Sequence, residues 1–269
     1  QYVLQLVVDD QDGNAATQTS QIMIINTLLP QTFFVSNSGD DNISLESISI
    51  DTPLQTIDKA MSLAGPGDTI ILLTDSVSTP APTTFLINTL TFTVTGIPNN
   101  PLNIRGDNKD LITIKPLGSN TGFRVVDRTH INISDLIFEG FSAAAISMTT
   151  VSNVIIDSCR FHQNNIGISI EQSSDTTLNA NLVYDNTTGI QISESDHINL
   201  RNSYIYRNSD YGYRILTQSQ TSINNVVHSN SFYDNGTTFD ETNKHAAINM
   251  GSNDQNSVQF NLLVNNIKD

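Results

Sequence analysis

The sequence predicts an all-β fold, a right-handed parallel β-helix (solenoid) of 22–23-residue coils with a short N-terminal capping helix. A recurring motif is the first observation. Gly122-Phe123-Arg124-Val125 returns as Ala145-Ile146-Ser147-Met148, Gly167-Ile168-Ser169-Ile170, Gly189-Ile190-Gln191-Ile192 and Gly212-Tyr213-Arg214-Ile215, at steps of 23, 22, 22 and 23 residues. A sixth copy, Ala247-Ile248-Asn249-Met250, arrives after 35 and so carries an insertion. The second observation is the apolar register inside each coil. Eight residues past the motif's second apolar position stand Ile133, Ile156, Leu178, Leu200, Ile223 and Val258; five further stand Phe138, Phe161, Val183, Ile205 and Leu263. The third is asparagine three residues later, at Asn164, Asn186, Asn208 and Asn266. Phe141 takes that place in the first coil, and in the fifth coil Phe232 and Asn235 fill the last two places after four extra residues.

Short alternating runs of this kind are strands split by polar turns. No coil can bury its apolar face alone, whereas stacked coils bury it and bring parallel strands to about 4.8 Å. The asparagines then form a ladder, each amide bonding to the next coil. The recurring glycine is expected to supply backbone freedom at the turn. Right-handedness follows from the crossover rule for parallel strands. Helical solenoids are excluded by the absence of 3.6-residue periodicity, leucine-rich repeats by the missing L-x-x-L-x-L signature, and propellers by the short repeat.

The elements follow in order. Residues 1–29 read as a hairpin, with one strand before the turn Asp9–Gly13 and another at Ser20–Asn26. YVLQLVVDDQDGNAATQTSQIMIIN resembles the last two strands of PKD-like or immunoglobulin-like modules of secreted bacterial proteins, which implies the C-terminal remnant of such a β-sandwich. The β-helix is expected over 30–269, with regular coils at 122–266 and further coils beyond Asp269. Residues 52–64 (TPLQTIDKAMSLA) read as the capping helix, with Pro53 in its first turn and Leu54, Ile57, Met61 and Ala64 on one face. A cap there would cover the open end of the stack. TIILL (69–73) then starts a buried strand.

TFFVSNSGDDN (32–42) and TPLQTIDKAMSLAGPGDTIILL (52–73) resemble the opening of secreted right-handed β-helix proteins of the pectin lyase-like fold, at Pro53, Thr56, Ile57, Ala60, Pro66, Gly67, Asp68, Thr69 and Ile70. The resemblance implies an extracellular or cell-surface carbohydrate-active protein. Its relatives include uronate-polysaccharide lyases, epimerases and glycoside hydrolases. It carries over no catalytic residue, because the sequence has neither a D-P-H run nor aspartates clustered on adjacent coils.

Composition narrows the function classes. Lys plus Arg number 12 against 27 Asp plus Glu, a net charge of −15, which leaves too few cations to neutralise nucleic-acid phosphates. No 18-residue apolar run exists, so no membrane span is expected. The single cysteine, Cys159, excludes an internal disulfide and a Cys-rich zinc site, and reads as an inert thiol. His130 and His197 share a turn position with Asn153, Asp175 and Gln220, which is turn chemistry rather than a metal site. Asp40 and Asp41 could help hold Ca²⁺, or simply make a turn.

The outward positions of the motif strand are Arg124, Ser147, Ser169, Gln191, Arg214 and Asn249; two residues on stand Val126, Thr149, Glu171, Ser193, Leu216 and Gly251. So few carboxylates make a hydrolase dyad hard to build. The richest patch joins Tyr211, Tyr213 and Arg214 to Asp240, Glu241, Lys244 and His245 in the insertion, where solenoids often bind. The expected roles are Lys244 or His245 as base, Arg214 as carboxylate neutraliser and Tyr211 as stacking or proton-donating group. Tyr213, Glu171, Gln191 and Asn249 are the expected substrate contacts. The same residues also fit an ordinary surface loop beside a solvated strand. Two functions stay open: a polysaccharide lyase or epimerase acting on uronic-acid polysaccharide, or a non-catalytic adhesive or spacer module that binds glycans. The expected partner is a polysaccharide or cell-surface glycan, and a monomer is expected.

Overall fold

A computed structural model describes residues 2–9, 15–22, 29–75, 80–118, 120–216, 222–236, 246–250 and 255–266, with side chains from Leu29 onward. Three parallel sheets of nine, eight and seven strands wind into a β-helix. Sheet I runs from Thr32–Val35 through Thr69–Leu72, Leu102–Gly106 and later coils to Ser257–Gln259. Sheet II runs from Thr83–Ile87 to Leu262–Val264, and sheet III from Leu90–Thr91 to Ala246–Asn249. One coil shows the scheme: Ser152–Asp157 in sheet I, Arg160–His162 in sheet II, Ile166–Glu171 in sheet III. Among the described residues, no helix is long and apolar enough to cross a membrane.

The coil register is the one the repeat prescribes. In sheet III Phe123, Ile146, Ile168, Ile190, Tyr213 and Ile248 are neighbours across successive strands. Phe138, Phe161, Val183, Ile205, Phe232 and Leu263 do the same in sheet II. These columns point inward, and all but the last-coil members Ile248 and Leu263 are buried. Phe92, Phe123, Phe138 and Phe161 link ring to ring across the first coils at 5.0–5.5 Å.

The corners explain how so tight a coil closes. In this coil the three corners open with Ser158, Gln163 and Gln172, each at positive φ (54°, 57° and 48°). Non-glycine residues accept that strain because the next corner residue turns inward and caps the coil before it. The Cys159 N–H donates to Asn181 Oδ1, the Asn164 N–H to Asn186 Oδ1 and the Ser173 N–H to Ser195 Oγ, each at 3.0 Å. The interior thus holds three polar ladders, one per corner, where one asparagine ladder was expected. Cys159 belongs to one of them and is fully buried, and that burial pushes its thiol pKa up.

Four sequence expectations need correction. The helix covers Ile57–Leu63, not 52–64: the Thr56 side chain accepts from the Lys59 N–H and caps it, while Leu54 bridges in parallel to Val35. The first hairpin pairs Tyr2–Asp9 with Ala15–Ile22, so its second strand starts earlier than Ser20. In the fifth coil Val227, not Ile223, pairs with Leu200, which puts the extra residues before sheet I. Asn224 accordingly takes the positive-φ place expected of Gln220, which lies outside the described residues. The glycine column serves close approach rather than conformational freedom. A Cβ on Gly189 would stand 2.5 Å from the Gly212 carbonyl oxygen of the next coil.

Candidate functional site

The motif strands set one polar column on the outside of sheet III. Arg124, Ser147, Ser169, Gln191, Arg214 and Asn249 lie side by side in that order. In the parallel column Thr149, Glu171, Ser193 and Leu216 are neighbours, with Glu171 exposed.

Three of the expected site residues meet. The Arg214 guanidinium donates to Gln191 Oε1 through Nη2 at 2.6 Å and Nε at 3.2 Å. It also lies 4.9 Å from the Tyr211 ring centroid. Register makes the edge contact: Gln191 and Arg214 are direct neighbours on adjacent coils. A local break in alternation makes the face contact. Gly212 and Tyr213 are both buried, so Tyr211 and Arg214 both emerge outside. The cation is thus fixed at its edge by an amide and at its face by an aromatic ring, a cation–π contact of about 0.5–1 kcal/mol at exposed sites.

Asn249 is next to Arg214 in register, and Glu171 stands one coil from Gln191 in the adjoining column. Tyr213 is a correction. It occupies the inward position filled by Ile190 one coil earlier, is fully buried, and cannot touch a substrate. Its burial raises the phenol pKa, and its hydroxyl has no hydrogen-bond partner among the described residues. Lys244 and His245, with Asp240 and Glu241, lie outside the described residues.

Asp40 and Asp41 do not fit a calcium pair. Asp41 accepts from the Gln55 and Thr56 N–H groups and the Thr56 hydroxyl, at 2.6–3.0 Å. Asp40 accepts from the Asn42 backbone and side-chain amides. These carboxylates fasten the turn that leads to the helix.

Sequence reasoning missed a second outer column, on sheet II. Glu139, His162, Tyr184, Tyr206 and Tyr233 are successive neighbours, and Lys115 ion-pairs with Glu139 at 2.7 Å. The His162 and Tyr184 rings stack at 5.0 Å, Tyr184 and Tyr206 at 4.9 Å, Tyr206 and Tyr233 at 4.5 Å. Partial burial lowers the His162 pKa, against the opposing pull of Glu139, and raises those of the three tyrosines. The signal was present in the sequence: each residue directly follows the inward apolar residue of its sheet II strand.

The comparisons agree with this architecture. Residues 102–266 match the family described as right handed beta helix region. Among solved structures, pectate lyase Pel9A aligns with a TM-score of 0.65 and 19% identity, over 80% of this chain and 57% of that one. A rhamnogalacturonan lyase aligns at 0.56 and 11%, over 76% and 68%. An alginate lyase from Paenibacillus sp. str. FPU-7 aligns at 0.52 and 14%, over 87% and 99%. Identities this low show a shared fold, and the chain spans just over half the length of the pectate lyase. Comparison with curated proteins gives no match.

Proposed function

The chain belongs to the right-handed β-helix family, and from that premise we propose that sheet III carries a face acting on uronic-acid polysaccharide outside the cell or at its surface. The carrying observation is Arg214, held by Gln191 and Tyr211 on the outside of the coil. A guanidinium fixed in this way presents its remaining N–H groups to a planar carboxylate. Neutralising that carboxylate acidifies the adjacent C–H. Lys244 or His245 is the proposed base that takes the proton. The electron pair then either expels the glycosidic oxygen, giving an unsaturated uronate, or recovers a proton from the other face, giving the epimer. Tyr211 is the proposed stacking or proton-donating group, and Glu171, Gln191 and Asn249 the contacts along the chain. The named activities of the pectate, rhamnogalacturonan and alginate lyases of like fold support this substrate class.

One observation favours a second reading, a binding module without chemistry. The column beside Gln191 holds Ser169 and Ser147, small neutral hydroxyls suited to contact rather than proton transfer. One experiment separates the two. Alginate, pectate and glycosaminoglycans are offered to the protein while unsaturated uronate is followed by absorbance and binding by calorimetry. The enzyme reading expects rising absorbance that Arg214→Ala abolishes and Lys244→Ala or His245→Ala reduces. Binding that needs Arg214 with a flat absorbance trace, and no epimer detected by NMR, would assign a binding module. No binding to any acidic polymer would overturn both.

A further inference from the structure

The sheet II column raises a separate question, because nothing in the sheet III reading uses it. Four of the chain's seven tyrosines stand on this outer face: Tyr184, Tyr206 and Tyr233 in one column, Tyr204 in the next. Tyr204 is 53% exposed, beside Leu182 on the preceding coil and Ser231 on the following one. The other three rings stack on one another, so their faces are mutually covered and their edges and hydroxyls border the surface. The face therefore offers one open ring and a comb of phenols at intervals of 4.9 and 4.5 Å. Tyrosine gives amphipathic contact area at small entropic cost, which suits a binding surface.

Charge decides what the face can take. Among the described residues, three cations on or beside it already have a carboxylate. Lys115 pairs with Glu139, Arg160 with Asp110, and Arg207 holds Asp185 through two bonds of 2.8 Å while lying 5.1 Å from the Tyr206 centroid. Neutralised cations on a chain of net charge −15 give a polyanion no purchase. The phenol interval is set by the coil spacing, so the hydroxyls repeat along the solenoid axis as the units of a polymer do. A shallow, open depression lined by Gln163, Asp185, Thr187 and Arg207 lies at the adjoining corner and adds polar partners.

We infer that the outer face of sheet II is a docking surface for an uncharged, extended polysaccharide lying along the solenoid axis, with one sugar ring on Tyr204 and neighbouring sugars hydrogen-bonded to the Tyr184, Tyr206 and Tyr233 hydroxyls. This face is distinct from the proposed acidic-polymer face on sheet III.

The test uses the whole chain. It has no tryptophan, so its fluorescence comes from tyrosine, with four of the seven on this face, and the Tyr204→Ala variant assigns the signal. Cellohexaose, xylohexaose and mannohexaose are titrated beside an oligogalacturonate, with calorimetry in parallel. The expected result is saturable binding of a neutral hexasaccharide, weakened about tenfold by Tyr204→Ala, a loss of about 1.4 kcal/mol. The Tyr184→Phe/Tyr206→Phe double variant keeps the ring stack and weakens binding through its hydroxyls alone. Neither Arg214→Ala nor added salt changes the affinity. Absence of neutral binding overturns the inference, as does binding indifferent to Tyr204→Ala. Binding confined to the oligogalacturonate and lost in Arg214→Ala moves the glycan to sheet III. Self-association that Tyr204→Ala abolishes makes the face a contact between copies instead.

Discussion

Asn186→Leu tests the account of what holds the coils together. Asn186 is 3% exposed. Its Oδ1 accepts from the Asn164 N–H and Asn164 Nδ2, both at 3.0 Å; its Nδ2 donates to the Phe161 and Tyr184 carbonyls and to Asn208 Oδ1. Leucine keeps the branched skeleton, with bulkier methyl ends, and removes every one of these bonds. The Asn164 amide nitrogen then lies buried without an acceptor, which costs about 1–3 kcal/mol. Asn164 Nδ2 keeps the Phe138 carbonyl and Asn208 Oδ1 keeps the Asn186 N–H, so the damage stays local. With the lost amide bonds, the expected destabilisation is about 2–4 kcal/mol. Asn37→Ala is the control. Asn37 is exposed and makes one comparable bond, to the Thr84 carbonyl at 3.1 Å, so its loss should stay within about 0.5 kcal/mol. Urea denaturation followed by circular dichroism compares the two midpoints, and a 3 kcal/mol loss moves the midpoint by about 1 M at a slope near 3 kcal/mol/M. If Asn186→Leu moves it no further than Asn37→Ala, the ladders do not stabilise the stack.

Three further outcomes follow from particular contacts. Tyr213→Phe removes a buried hydroxyl that has no partner among the described residues, so it should leave stability unchanged or raise it by about 1–2 kcal/mol; a loss in the same urea assay would show that the hydroxyl is bonded in solution. Gly189→Val must push against the Gly212 carbonyl, Val183 and the ladder amide of Asn208, and should cost about 1–3 kcal/mol; an unchanged midpoint would refute the close-approach reading of the glycine column. Burial holds His162 below its ordinary pKa of about 6.5 despite Glu139, so the folded state binds fewer protons than the unfolded. That stabilising contribution is fully present above about 6.5 and declines as pH falls toward the folded value. His162→Gln should flatten this acid-side slope of stability against pH; an unaltered slope would contradict it.

Most of the interior was legible in the sequence, because burial constrains it twice. Ile133, Ile156, Leu178 and Leu200 must be apolar to face the core and must recur every coil to stay in register. The Asn164, Asn186 and Asn208 ladder was legible for the same reason. The serine ladder at Ser173 and Ser195 was not, because serine is common on surfaces and carries no burial signal by itself. Tyr213 was misplaced when its chemistry outweighed its position: a phenol invites a functional role, but the parity of the strand puts it inside. The sheet II column escaped for the opposite reason. An outward position has no burial requirement, so His162, Tyr184, Tyr206 and Tyr233 looked like scattered surface residues until the register aligned them. The fifth-coil slip from Ile223 to Val227 came from placing the extra residues one corner too late.

The coil spacing bears on what either face can recognise. Strand pairing holds the distance between equivalent outward residues near 4.8 Å whatever the side chains are. A column therefore repeats one contact at a constant interval, and a ligand gains from the repetition only if it is itself a polymer. The His162, Tyr184, Tyr206 and Tyr233 rings span three such intervals, of 5.0, 4.9 and 4.5 Å. If a neutral glycan lies along them, affinity should climb with chain length from disaccharide to tetrasaccharide and level off once the column is covered. Arg207 and Asp185 are locked to each other, so the climb should persist in high salt. Calorimetric titration with a graded oligosaccharide series measures this directly. A disaccharide that binds as tightly as a hexasaccharide would mean that one ring, most simply Tyr204, makes the whole contact and that the phenol column serves only to brace the coils.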